Sequence, residues 1–149
     1  ETGSRAWMWS DYAWGKGMAP APRKAPKKLH KDYARTLGHE EIFFERMPKS
    51  VVQSNWYYEM TFDESKVEVT LFDSLARRGY EQIPTGSNFS GPDNFPPLVE
   101  YIEQKTKGKG ILGYLQTCWF PTLPAYRNIH IKAIDGIAEA MRICAKTGK

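Results

Sequence analysis

Several common functional signatures are missing from this 149-residue sequence. No apolar run approaches the roughly 18 residues that a membrane-spanning helix needs, so we expect no contact with a membrane. His30, His39 and His130 share no metal-ligand spacing with a cysteine or an acid, and we predict no metal site. The "KGKG" stretch precedes a predicted strand instead of following one, which argues against a phosphate-binding loop. The sequence therefore predicts no cofactor.

Cysteine is also scarce. Cys118 and Cys144 are the two cysteines, and a predicted helix over residues 124–145 would separate them by about 30 Å. A disulfide needs Cα atoms within about 7 Å of each other, so we expect two free thiols. The redox compartment, and with it the localisation, is not decided by these residues.

The composition is that of one globular domain over residues 1–149, with 41% hydrophobic and 26% charged residues. The net charge of +4 comes largely from a Pro/Lys-rich insertion at 15–31, which holds six Lys/Arg and three Pro. A nucleic-acid binder usually spreads its basic residues over a face or a helix, so we interpret the insertion as a solvated loop beside a pocket and expect no nucleic-acid partner. The sequence begins with Glu1 and not with Met, and it shows no signal-peptide pattern. We therefore expect an expressed segment, a mature form or a fragment.

Apolar stretches recur along the chain at a nearly fixed interval. They begin at Arg5, Val51, Tyr80 and Gly110, and the last three starts are 29 and 30 residues apart. We predict strands near 6–11, 51–56, 81–86 and 111–117, all parallel to their neighbours.

A helical pattern follows each apolar stretch. The first is the short "GHEEIFFERM", and the second places Val67, Leu71 and Leu75 on one face before a stop at Gly79. The third starts with Asp93 or Asn94 as N-cap and ends before Gly108. The last carries a stripe close to a 3.6-residue period, namely His130, Ile134, Ile137, Met141 and Cys144.

Four strand–helix units of about 30 residues predict an α/β fold with a parallel sheet, because a right-handed crossover needs a helix to return the chain. A complete eight-unit TIM barrel of about 250 residues has roughly 31 residues per unit. Half of such a barrel therefore fits, and a flavodoxin-like parallel sheet is the alternative.

Loops that follow parallel strands meet at one edge of the sheet, where functional sites form. The residues predicted there have aromatic or polar side chains. Four of the five tryptophans are among them, and Trp7 lies just before this edge, inside its strand. The set is Trp9, Asp11, Tyr12 and Trp14; Asn55, Trp56, Tyr57 and Tyr58; Thr85, Ser87, Asn88 and Phe89; and Gln116, Thr117 and Trp119. One interpretation is that the tryptophans fill the end of a core. The other is a sugar platform, since a pyranose offers C–H faces to aromatic rings and hydroxyls to Asp, Asn and Gln.

The stretches "MWSD", "MPKSVVQSNWYY", "ARRGYEQIPTGSN" and "GYLQTCW" resemble the C-terminal half of the barrel in hexosaminidase-like glycoside hydrolases of the family-20 type. The matching positions are Trp9 with Asp11, Pro48 through Tyr58, Gly79-Tyr80, and Gly113 with Trp119.

The resemblance implies a β-N-acetylhexosaminidase-like carbohydrate site walled by tryptophans, and a catalytic acid pair upstream of this segment. We therefore expect no catalytic residue here and a chain that is inactive alone; Asp11 is more suited to binding a hydroxyl. Two positions depart from the family pattern: Pro121 stands where an acid often follows the last Trp, and Asp11 lies one residue later than the usual acid. The predicted carbohydrate-binding residues are Trp9, Asp11, Trp56, Tyr58, Asn88, Thr117 and Trp119.

A second hypothesis from a different class is a non-catalytic carbohydrate-binding or structural module that kept the half-barrel and lost the acids. A stand-alone flavodoxin-like domain is a third. Half a barrel would expose an apolar inner face and two open sheet edges, so we expect self-association or pairing with a missing N-terminal half.

Overall fold

The structure is a computed structural model that describes residues 3–14, 39–89 and 92–146. The insertion at 15–31 and the side chains of Tyr12 and Trp14 lie outside this description. The elements run in the order β1 (Trp7–Trp9), α1 (His39–Arg46), β2 (Val52–Ser54), α2 (Val67–Arg77), β3 (Thr85–Ser87), α3 (Phe95–Thr106), β4 (Leu115–Thr117) and α4 (Arg127–Lys146). Short 3₁₀ helices at Ser10–Trp14 and Pro124–Tyr126 follow β1 and precede α4. The chain is a mixed α/β protein, as its strand–helix alternation predicts.

All strand pairs are parallel, as expected. β1 pairs with β2, and β3 pairs with β4. Parallel bridges join the two pairs at Gln53–Gln82 and Trp56–Thr85, so that the described strands follow one another in the order 1-2-3-4. They form an open sheet, and no closed barrel is present within residues 3–14, 39–89 and 92–146.

The regular strands are shorter than predicted, at three residues each. The third was expected from residue 81, but Gln82 pairs only as an isolated bridge, and regular pairing starts at Thr85. Pro84 explains the interruption, because proline has no N–H to donate to the ladder. Its carbonyl still accepts from the Leu115 amide at 3.0 Å.

One face of the sheet is covered by helices, and its contacts there are polar as well as apolar. The Gln82 side-chain amide donates to the Phe72 carbonyl of α2 at 3.0 Å, and the Asn55 amide donates to the Glu68 carbonyl at 2.8 Å. Around these bonds the helices bury a large apolar core, namely Val69, Leu71, Phe72, Leu75, Leu98, Val99 and Ile102.

The opposite face of the sheet is more open. Side chains alternate along a strand, so Trp7 and Trp9 point away from the face that Met8 shares with Gln53. Trp7 is 52% exposed and Trp9 is 41% exposed, although large aromatic side chains usually gain stability from burial. The two residues therefore belong to a surface that the described helices do not cover.

The face that the last helix buries is not its apolar stripe at Ile134, Ile137 and Met141. Its buried face consists of Ala133, Gly136 and Ala140, whereas Ile134 is 62% and Met141 67% exposed. Small residues let α4 approach the start of α3 closely: a Cβ on Gly136 would lie 2.1 Å from Asp93 Oδ2. The apolar stripe is present, but it faces outward.

The thiol prediction is confirmed, since no disulfide joins Cys118 and Cys144. Two helix ends also follow the sequence signals. Gly79 has φ +79° after α2, and Lys107 and Gly108 have φ of 51° and 71° after α3, the left-handed geometry that ends a helix.

Asn94, the N-cap of α3, connects three segments of the chain. Its side chain is buried; Oδ1 accepts from the Ser87 amide at 2.9 Å, while Nδ2 donates to the Tyr57 carbonyl at 2.6 Å and to the Glu59 carbonyl at 3.1 Å. The end of β3 and the segment after β2 are thereby held to the start of α3.

We expect Asn94→Asp to lower the free energy of unfolding by about 2–4 kcal/mol, because a carboxylate cannot donate to the two carbonyls and would place a buried charge against them. Chemical denaturation measures this. Asn128→Asp makes the same change at an exposed position of α4 and should alter stability by less than about 0.5 kcal/mol. Equal stability of the two variants would contradict the role assigned to Asn94.

Candidate functional site

A cleft of about 790 Å³ lies at the carboxyl ends of the strands. Its lining combines aromatic rings with charged groups: Trp9, Asp11, Trp56, Tyr57, Tyr58, Glu59, Lys66, Glu68, Phe89 and Trp119. The volume is in the range of small-molecule sites, which are usually apolar with a few placed polar groups.

Five of the seven predicted site residues meet in this cleft: Trp9, Asp11, Trp56, Tyr58 and Trp119. They come from the ends of β1, β2 and β4, which the parallel order brings to the same edge of the sheet.

The other two predicted residues, Thr117 and Asn88, do not line the cleft. Thr117 Oγ1 lies 3.2 Å from the hydroxyl of Tyr58, which does line the cleft. Asn88 is buried, and its Nδ2 donates to the Ile129 carbonyl of α4 at 3.0 Å. Its side chain joins the loop after β3 to α4.

The Tyr58 hydroxyl contacts both Trp119 and Thr117. Trp119 Nε1 donates to it at 3.0 Å, although the Trp119 side chain comes from a distant strand end and the residue is 55% exposed. Thr117 Oγ1 lies 2.9 Å from the Gly86 carbonyl oxygen, and a hydroxyl has one proton. When Thr117 donates to Gly86, the Tyr58 hydroxyl must therefore donate to Thr117, which completes a chain of bonds from Trp119 to Gly86.

The rings of Trp56 and Tyr58 pack against each other, with centroids 5.0 Å apart at 39°. Trp56, Tyr58 and Trp119 thus form a connected aromatic wall, in which a hydrogen bond to Tyr58 holds the indole of Trp119.

A charged cluster forms a second part of the lining. Lys66 Nζ contacts Glu59 Oε2 and lies 3.3 Å from the Tyr57 hydroxyl, which donates to the Thr61 carbonyl at 2.7 Å. The hydrogen bond to Glu59, followed by that to Tyr57, raises the pKa of Lys66, so its ammonium keeps its charge. Burial is the main cause that raises the pKa of Tyr57, which keeps its proton.

Glu59, Lys66 and Glu68 are not among the predicted site residues. The sequence did contain a signal for Lys66 and Glu68, because they stand at the start of α2, and in a βα unit the helix begins at the edge where the strand ends. Phe89 and Tyr57 were placed at this edge but not selected as ligand-binding residues.

Within the described residues, no group of three or more His, Cys, Asp or Glu side chains is arranged to hold a metal ion. In the same part of the chain, no helix is long and apolar enough to cross a bilayer.

No protein-family model, curated protein or solved structure matches this chain.

We expect Tyr58→Phe to loosen Trp119, because the variant keeps the ring but removes the acceptor of the indole N–H. Tryptophan emission should shift to the red and its anisotropy should fall, with a stability loss of about 1 kcal/mol or less. The matched control is Tyr58→Phe in a Trp119→Phe background, where the substitution should leave the emission unchanged. An equal spectral change in both backgrounds would assign the effect to another tryptophan.

Proposed function

We propose that this chain is the carbohydrate-binding half of a glycoside hydrolase barrel of the β-N-acetylhexosaminidase-like type. The observation that carries the proposal is the cleft at the strand ends, where three connected aromatic residues stand beside carboxylates. Aromatic faces suit the C–H faces of a pyranose, and the carboxylates of Asp11 and Glu68 can accept hydrogen bonds from its hydroxyls.

The strand order supports the half-barrel interpretation over the flavodoxin-like one. The described strands run 1-2-3-4, as consecutive βα units of a barrel do, whereas a flavodoxin-like sheet has the order 2-1-3-4-5. Helix contacts to one face of the sheet, with Trp7 and Trp9 exposed on the other, also fit a barrel wall whose inner face is open.

In this proposal the catalytic acid pair belongs to a preceding half, and the chain alone is inactive. Asp11 follows β1 at the cleft and binds a sugar hydroxyl. The second candidate function is a non-catalytic carbohydrate-binding module, which the same aromatic wall would serve equally well. An upstream βα segment with an Asp-Glu strand end in the natural gene would favour the enzyme, and turnover of aryl N-acetylhexosaminides by this chain, lost in Asp11→Asn, would overturn the assignment of catalysis elsewhere.

We expect the chain to bind an N-acetylated chito-oligosaccharide and Trp119→Ala to weaken binding about tenfold, because the variant removes an exposed stacking face. Isothermal titration calorimetry measures the affinity. Trp7→Ala is the matched control, since Trp7 is about as exposed as Trp119 but does not line the cleft. An equal loss in both variants would contradict a sugar site at the cleft.

We also infer that the open side of the sheet is covered by a second copy or by a preceding half-barrel. Apolar residues on α4, led by Ile134 and Met141, are exposed as well. Large exposed apolar patches are uncommon on soluble monomers.

We therefore expect sedimentation velocity to detect self-association of the isolated chain, and Ile134→Glu to reduce it. Glu139→Gln, on the charged side of the same helix, should leave the association unchanged. A well-behaved monomer at all concentrations would favour the flavodoxin-like alternative.

A further inference from the structure

The outward side of α4 carries exposed apolar residues at alternating steps of three and four residues. We call this set the outer stripe, and it consists of Ile131, Ile134, Ala138, Met141 and Ala145. Each residue turns an α-helix by about 100°, so the outer stripe lies nearly opposite the side that α4 buries against α3. The same alternation of three and four is the pattern with which helices pair in coiled coils. The outer stripe is therefore suited to packing against another helix.

Two opposite charges flank the outer stripe along one of its sides. Asp135 and Arg142 are both exposed, and because about two helical turns separate them, they point in the same direction from α4. The salt bridges of the described residues involve other side chains, which leaves both charges available to a partner. In paired helices, charges that flank the apolar seam form salt bridges between the helices and determine their orientation.

An antiparallel pair of α4 helices matches both features. When Asp135 faces Arg142 of a second copy, two-fold symmetry places Arg142 opposite the Asp135 of that copy, so the interface contains the same charge pair twice. A parallel pair in register would separate these opposite charges by about 10 Å along the axis and would align the two helix dipoles unfavourably. The antiparallel register also sets each large side chain of the outer stripe against an alanine, namely Ile134 against Ala145 and Met141 against Ala138.

We propose that α4 is a homodimerisation helix, which pairs antiparallel with α4 of a second copy through the outer stripe and two Asp135–Arg142 salt bridges. The inference rests on the self-association proposed above and specifies its surface. The residues of the outer stripe are not among those that line the described cleft, so carbohydrate binding at the cleft does not require this interface. The pairing gives the exposed isoleucine and methionine side chains of α4 an apolar partner, which the monomer does not provide.

Charge reversal at the two flanking positions tests the proposal. Asp135→Arg and Arg142→Asp each turn two attractive pairs per dimer into two repulsive ones, and we expect each to raise the dimer dissociation constant about tenfold in sedimentation velocity at about 0.1 M salt. The double variant Asp135→Arg/Arg142→Asp exchanges the charges and should return the constant to within about twofold of its original value, because both pairs form again. Glu139→Arg makes the same change of charge at an exposed position outside the stripe and should leave the constant unchanged.

The outcomes separate this inference from the proposals before it. A dimer that both single variants weaken and the double variant restores would support the antiparallel pairing. A dimer that the single variants leave unchanged, that the double variant does not restore, or that Glu139→Arg weakens equally would overturn the pairing and leave self-association through another surface standing. A monomer at every concentration would overturn both this inference and self-association, whereas calorimetry with the chito-oligosaccharide tests the cleft independently.

Discussion

The cleft depends on the hydrogen bonds that the side-chain amide of Asn94 makes. It is a small buried group with both an acceptor and a donor, and it joins the Ser87 amide to the carbonyls of Tyr57 and Glu59. Tyr58 lies between Tyr57 and Glu59 in the chain, so the two hydrogen bonds from Asn94 hold the backbone on both sides of it. An apolar residue of the same size would leave three backbone groups without these partners, and buried backbone groups are almost always paired.

The two faces of the sheet have different surroundings. The helix-facing side buries a large apolar core and hydrogen-bonds to α2 through Asn55 and Gln82. The other side and the strand ends present Trp9 and Trp119 to the surface. Because the two sets of side chains alternate along the same strands, the cleft can change its residues without changing the core.

The sequence predicts the parts of this structure that local patterns encode. The 29- and 30-residue spacing and the Gly79 stop predict the elements and their parallel pairing, and the strand ends predict five residues that line the cleft. The bond from Trp119 to Tyr58 joins residues 61 apart, and no local pattern encodes which rim side chains will touch. The apolar stripe of α4 is present as predicted but exposed, because periodicity identifies an apolar face and not whether a neighbour covers it.

The amides of Asn55 and Gln82 also define how α2 lies along the sheet. Apolar contacts are not directional and do not select one particular carbonyl of the helix. A side-chain amide that donates to one particular carbonyl does select a position: Asn55 donates to the Glu68 carbonyl and Gln82 to the Phe72 carbonyl. Displacing α2 would break these hydrogen bonds, and each buried polar group left without a partner costs about 1–3 kcal/mol. The bonds therefore restrict how α2 can lie along the sheet. Lys66 and Glu68 stand at the start of that helix, so their positions in the cleft depend on two side chains that do not line it.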